Sequence, residues 1–375
     1  MFLRAPTVWI VGAAVSARPL RKHVVSPAGI CGYIQQTAPD TVDGACIRRT
    51  RMDSKLNATW IPETRDGSPG ALDRNALLSG QNIAELSERN GVRVAAVICL
   101  DLTLIIAAAV LCERFWTPWL YPLSIMFIGA RQIGLASVAL HDGAHGLLLR
   151  NRPRNDLLAN ALCYALFVPL LTEFSAYRKT HITHHQHTNT RNDPEFAGVL
   201  HLYLHASALR IAAVLLAQLS GVGFIRLMIQ ALRSGSWQRK LWIVALTLIV
   251  IFGIALAWRP VELFALYWLV PFATWGLFIN SVRALSEHFP PGVLRQHQSS
   301  AAIFLTRDIL PSWFDRVFVT TRGVNYHLTH HLFPAVPFYR LESLQRSMAQ
   351  TSAYQAAAHA THGYHRALAE IFMRR

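Results

Sequence analysis

Six apolar runs alternate with polar stretches along the chain, at 92–112, 117–140, 156–172, 208–230, 241–258 and 261–282. A helix that crosses a bilayer needs about 20 apolar residues, with a working range of about 17–25. Leu241–Trp258 holds no charged residue and is the clearest span. Run 92–112 carries Asp101 and run 117–140 carries Arg131. A charge at mid-membrane costs about 2.5–3.5 kcal/mol on insertion scales, so both side chains are predicted to face the protein interior or a wet cavity. Arg259-Pro260 reads as a tight break, which makes 241–282 a helical hairpin.

Outside these runs the chain is polar and basic. Residues 1–51 hold seven Lys and Arg against Asp40 and Asp43, with a short apolar stretch, Thr7–Ser16. Two readings stand for this segment: a signal-like or transit-like leader, or sequence upstream of an initiator at Met52. Residues 52–91 are turn-rich, as in Asp66-Gly67-Ser68-Pro69-Gly70, and read as a mobile arm with a short helix at 81–90. The expected organisation is an N-terminal basic and polar arm at 1–91, poorly ordered, a membrane domain at 92–350 and a C-terminal helical tail at 351–375.

Composition sharpens this picture. The 375 residues are 52% hydrophobic and 15% charged, well below the quarter typical of soluble domains, which excludes an ordinary soluble enzyme and a disordered chain. The net charge of +15 invites a nucleic-acid reading. An apolar chain with basic loops fits a membrane protein better, because cytoplasmic loops collect Lys and Arg. The five cysteines form no C-x-x-C pair and read as buried thiols. The sequence shows no nucleotide-binding glycine loop, no nucleophile elbow, no H-E-x-x-H and no His-Pro-Gly-Gly haem signature.

The candidate chemistry lies in the histidines. Ten of the 17 fall in four short clusters: His141 and His145; His181, His184, His185 and His187; His288; and His327, His330 and His331. Positions i, i+3 and i+4 share one helix face, so H-x-x-x-H presents two imidazoles together. H-x-x-H-H presents at least two, with the third one step round the helix. Together these faces supply eight or nine nitrogen ligands. One zinc takes four, so the number implies two metals, while imidazole alone does not choose among Zn, Cu, Fe and Ni. Unpaired buried imidazoles would each cost about 1–3 kcal/mol, a penalty that a metal removes.

The order H-x-x-x-H, H-x-x-H-H, Glu-His, H-x-x-H-H, spread over roughly 92–350, resembles the membrane fatty acid desaturase superfamily of desaturases, hydroxylases and carotenoid ketolases. Thr180–Asn189 with Asp193-Pro194, and Asn325–Pro334, are similar to bacterial members and to the rhizobitoxine-biosynthesis branch, which acts on dihydrorhizobitoxine, an amino acid. Many relatives have Glu where this chain has Thr329. The resemblance implies an all-α integral membrane bundle, with about four spanning helices, interfacial or re-entrant helices, and a cytoplasmic helical cap around a di-metal site. It implies two Fe ions, O2 as co-substrate, and a desaturase that takes an acyl chain or a small amphiphile. His141, His145, His181, His184, His185, His288, His327, His330 and His331 are the implied ligands. Asp142, Asp193 and Glu287 are candidates to hold the outer ring nitrogen of a ligand, and His187 supports the site without ligating. Electrons are expected from an external ferredoxin or cytochrome b5 type donor, with no nucleic-acid partner.

The clusters must meet on one membrane face. Parity then requires that 156–172 and 208–230 do not cross, despite their apolarity. The predicted outer turns hold only Arg114 and Arg259, whereas 1–91, 147–207 and 283–375 hold 11, six and ten Lys and Arg. The positive-inside rule thus predicts cytoplasmic clusters, in a bacterial inner membrane. A hydroxylase or ketolase of the same superfamily is the first rival reading, and a His-rich metal transporter the second. A transporter's ligands belong at mid-span, whereas these clusters flank the spans.

Overall fold

The computed structural model describes residues 74–78, 80, 82–170, 172–188, 193–194, 207–288, 306–320 and 322–373. The expectations for 1–51, for Met52 and for most of the N-terminal arm lie outside these residues.

Among the described residues, four helices are long and apolar enough to cross a membrane: Gly91–Arg114, Leu120–His145, Trp237–Leu256 and Trp258–His288. The first starts on an Asn90 cap, whose side chain accepts from the Arg93 N–H. Its outer face is lipid-like, with Val92, Leu100, Ile106 and Val110 exposed. Trp116, Trp119 and Trp258 are exposed at the turns that end the first helix and begin the fourth. Amphipathic aromatic rings favour that membrane–water boundary. The break between the third and fourth helices falls at Ala257 (φ −154, ψ 77), not at Arg259-Pro260 as predicted. Arg259 and Pro260 sit inside the first turn of the following helix, where proline's missing N–H has no intrahelical partner to lose.

The two other apolar runs form shorter pieces. Arg152–Ala165 has 14 residues, about 21 Å of helix against a hydrocarbon core of about 30 Å. It is not among the helices long and apolar enough to cross a membrane. Run 208–230 becomes Ala208–Leu219 and Val222–Ser234, bent by 76° at a break that contains Gly221 in the left-handed conformation.

Charges in the spans face inward. Asp101 is fully buried and receives both Arg322 Nε, at 2.8 Å, and Arg322 Nη2, while Arg131 Nη1 lies 3.7 Å away. Arg131 also donates to the carbonyls of Arg316 and Val317. These contacts dock the segment after the fourth span onto the bundle.

That segment builds a cap. Helices Trp313–Phe318, His327–Leu332, Phe338–Met348, Ser352–Ala357 and Tyr364–Met373 surround a two-stranded parallel sheet, in which Asp308–Leu310 pairs with Ala360–His362. This strand pairing joins residues on both sides of position 350. The expected helix at 81–90 is only Ile83–Leu86. Leu77 and Leu78, at the end of the arm, are buried in the cap core with Leu328, Leu344 and Met348.

Candidate metal centre

The second span changes pitch as it reaches the histidines. Leu120–Ser137 is α-helical, Val138–Asp142 is π-helical, and Gly143–His145 closes at Gly146 (φ 75). One π-turn inserts an extra residue into the winding, a device frequent at functional sites. The second cluster lies on helix Phe174–His187 and the last on helix His327–Leu332.

The histidines converge as two groups. His141, His145, His181, His185 and His330 form one, and His184, His327 and His331 the other; within each group one ring nitrogen per residue lies within 4.8 Å of all the others. Each H-x-x-H-H box splits in the same manner. Its i, i+4 pair serves one group, and its middle histidine, turned about 100° round the helix, serves the other. Thus His181 and His185 join the five-histidine group while His184 leaves it, and His327 and His331 join the three-histidine group while His330 leaves it. The two box helices are cross-linked by this exchange. His288 lies outside both converging sets and stacks on His184 and His327, with ring centroids 4.9 and 4.4 Å away. His187 is half-buried at the helix end and belongs to neither group.

The nitrogen contacts fit a shared cation. Successive Nε2···Nε2 distances from His145 to His181, His185 and His330 are 2.9, 3.1 and 3.1 Å. His331 Nε2 is 3.2 Å from His184 Nε2 and 3.0 Å from His327 Nε2. An imidazole nitrogen carries either one hydrogen or one lone pair, so His181, His185 and His331 cannot bond two neighbours at once. A metal between them uses every lone pair. With metal–nitrogen bonds of about 2.0–2.1 Å, two ligands at a right angle stand about 3 Å apart.

The outer nitrogens set which ring nitrogen is free. His184 Nδ1 lies 2.9 Å from both oxygens of Asp193, so it carries the hydrogen and leaves Nε2 for the metal. His141 Nδ1 lies 3.1 Å from Asp142 Oδ1, and Asp142 Oδ2 accepts the Phe338 N–H. Glu287 Oε2 is 3.7 Å from His327 Nδ1. Burial, reinforced by neighbouring imidazoles, holds His181, His185, His327, His330 and His331 well below their ordinary value of 6.5. They are neutral at pH 7, as ligation requires.

Several contributors carry no motif. Thr188 Oγ1 donates to the His184 carbonyl at 2.8 Å and accepts from His331 Nδ1 at 3.2 Å. Asp308, fully buried, accepts from the Thr329 N–H at 3.0 Å, the Thr329 hydroxyl at 2.7 Å and the Tyr354 hydroxyl at 2.6 Å. Thr329 thereby fixes the last box helix to the cap strand. Arg283 and Tyr364 both bond Glu287.

A family model described as fatty acid desaturase matches residues 116–363. The chain is 27% identical over 277 residues to the dihydrorhizobitoxine desaturase of Bradyrhizobium elkanii, covering 68% of this chain and 75% of that protein. It is 24% identical over 246 residues to an sn-1 oleoyl-lipid 12-desaturase of Anabaena variabilis, covering 60% and 67%. A second sn-1 oleoyl-lipid 12-desaturase, from a Picosynechococcus strain, is 24% identical over 268 residues, covering 65% and 74%.

Proposed function

This chain belongs to the fatty acid desaturase family and is an oxidoreductase of the desaturase class, and we propose that it is an O2-dependent di-iron membrane desaturase. The observation that carries this reading is the pair of converging histidine groups at the ends of apolar spans. Five imidazoles exceed a tetrahedral site, which favours a metal of higher coordination than structural zinc. Two iron ions held there would supply the redox chemistry and O2 activation needed to remove hydrogen from two adjacent, unactivated carbons.

The residues have distinct tasks. His141, His145, His181, His185 and His330 bind one ion, and His184, His327 and His331 the other, with His288 beside the second. Asp193, Thr188 and Glu287 orient the rings of the second group, and Asp142 orients His141. His187 remains a supporting residue. Burial of the box helices excludes bulk water from the centre. The substrate is an acyl chain or a small amphiphile, the class that includes dihydrorhizobitoxine. It enters from the apolar side, where the spans expose aliphatic side chains. Electrons come from a ferredoxin or cytochrome b5 type donor. The excess of Lys and Arg in the polar tracts supports a centre on the cytoplasmic side of a bacterial inner membrane.

The test is expression with a matched donor, followed by product analysis and metal determination. Two irons per chain and a product lacking two hydrogens are expected, and His184→Ala should abolish turnover while leaving membrane insertion intact. Oxygen incorporated into the product would indicate the hydroxylase reading instead. Zinc as the sole bound metal would remove the di-iron assignment. Sidedness is checked by labelling: Arg150→Cys should react only from the cytoplasmic side.

A further inference from the structure

The end of the chain reaches the metal centre. Helix Tyr364–Met373 begins one residue after the family match ends at 363, and its first side chain is buried against the last span. The Tyr364 hydroxyl donates to Glu287 Oε1 at 2.5 Å. Arg283, one turn earlier on the same span, donates Nε to Oε1 at 3.0 Å and Nη2 to Oε2 at 3.3 Å. Glu287 Oε2 faces His327 Nδ1 at 3.7 Å. The carboxylate is thus held from two directions, with its free side toward a histidine of the three-histidine group.

The tail is pinned in register for this contact. Arg307, fully buried, donates Nε to the Ser286 carbonyl, and Nη1 to Thr361 Oγ1 at 3.1 Å and to Glu370 Oε2 at 2.6 Å. The Arg307 N–H donates to the Glu287 carbonyl at 2.8 Å. One guanidinium therefore ties the end of the fourth span to both the strand before Tyr364 and the helix after it. Tyr364 itself packs among Ile279, Val282, Ile309 and Ile371, so its ring has a fixed direction.

We infer that Tyr364 is a positioning residue of the metal centre: its hydroxyl fixes Glu287, and Glu287 orients His327 for the ion bound with His184 and His331. This rests on the two-metal reading above. Two other features carry less. Among the described residues, buried Gln132 Oε1 and Trp268 Nε1 have no hydrogen-bond partner, but nothing beside them points to a ligand. The basic residues around Arg152 are partly spent on Asp156 and on the Ala144 carbonyl.

Tyr364→Phe keeps the ring and removes the hydroxyl. The full-length protein is purified metal-free in detergent and titrated with Co(II), whose visible bands report the ligand field, and then challenged with a chelator. Loss of an outer partner typically costs 10–100-fold in metal affinity. The expected result is two Co(II) per wild-type chain, against one ion held normally and a second at least tenfold weaker in Y364F, with a changed band for that second ion only. Glu287→Gln should reproduce the selective loss, and it decides the matter where Y364F does not fold. Wild-type affinity for both ions in either variant would overturn the inference, as would equal weakening of both ions, which marks mere loosening of the fold. Failure of the wild type to bind two ions would instead overturn the two-metal reading.

Discussion

His184 and Asp193, nine residues apart, are joined by two contacts of 2.9 Å in a fully buried setting, from His184 Nδ1 to each carboxylate oxygen. The carboxylate fixes the tautomer and raises the basicity of the nitrogen that ligates. Asp193→Asn should weaken the ion of the three-histidine group by about 10–100-fold and spare the other. Chelator-dependent metal release measures this; unchanged biphasic release in the variant would contradict the role given to Asp193.

Acid should destabilise the metal-free protein. The folded-state values of His181, His185, His327, His330 and His331 lie well below 6.5 because the rings are buried. Below about pH 6.5 the unfolded chain binds more protons than the folded one. The stability these groups contribute is therefore present above that pH and lost as pH falls through it. Asp308 has the opposite sign: burial raises it from 3.8 to about 6, so its contribution falls as pH rises from about 4 to 6. The five histidines outweigh it. Thermal unfolding of the metal-free protein should show a falling midpoint between about pH 7 and pH 5.5, steeper in Asp308→Asn; a rising midpoint would contradict the assignment.

Asp101 sits between two guanidiniums, Arg322 from the cap and Arg131 from the second span. Asp101→Asn leaves both cations without a counter-charge in a buried position. Breaking a buried pair typically costs about 3–5 kcal/mol. The variant should unfold at markedly lower temperature in detergent, and its cap should be cut faster by protease. A midpoint equal to the wild type would mean that the cap docks by other contacts.

Thr329 has a structural task within the last histidine box. Thr329→Val removes the hydroxyl that donates to buried Asp308 at 2.7 Å but keeps the volume. The expected loss is about 1–3 kcal/mol, the penalty for a buried acceptor deprived of a donor. Thr329→Ser should restore most of it. Paired unfolding curves for the two variants test this, and equal stability would remove the hydroxyl's role.

The spans and box histidines were legible because each carries a periodic or repeated signal. Lipid demands long apolar runs, and ligation demands histidines at helical spacing. Arg131 and Asp101 were legible as inward-facing because a mid-span charge is costly. The remainder is set by long-range meetings of single polar residues. Asp308 meets Thr329 across 21 positions, and Tyr364 meets Glu287 across 77; neither leaves a local pattern. His359, His362 and His365 recur every three residues in the tail, yet the tail side chain that bonds Glu287 is Tyr364. The break at Ala257 was misplaced because a proline that marks a turn also fits a helix's first turn. The split of each H-x-x-H-H box was half legible: spacing showed that one histidine lies off the shared face, but only the meeting of the two helices shows where it goes.

The π-turn at Val138–Asp142 makes that stretch a ruler rather than a patch of surface. Each residue added to or removed from a helix turns everything beyond it by about 100°. Winding the same residues as regular α-helix would swing His145 away from His181, although no ligand had been altered. Val138, Ala139 and Leu140 should therefore accept apolar replacements of similar volume, whereas a change that relaxes the π-turn without altering the chain's length should separate His145 from His181 with every imidazole still present.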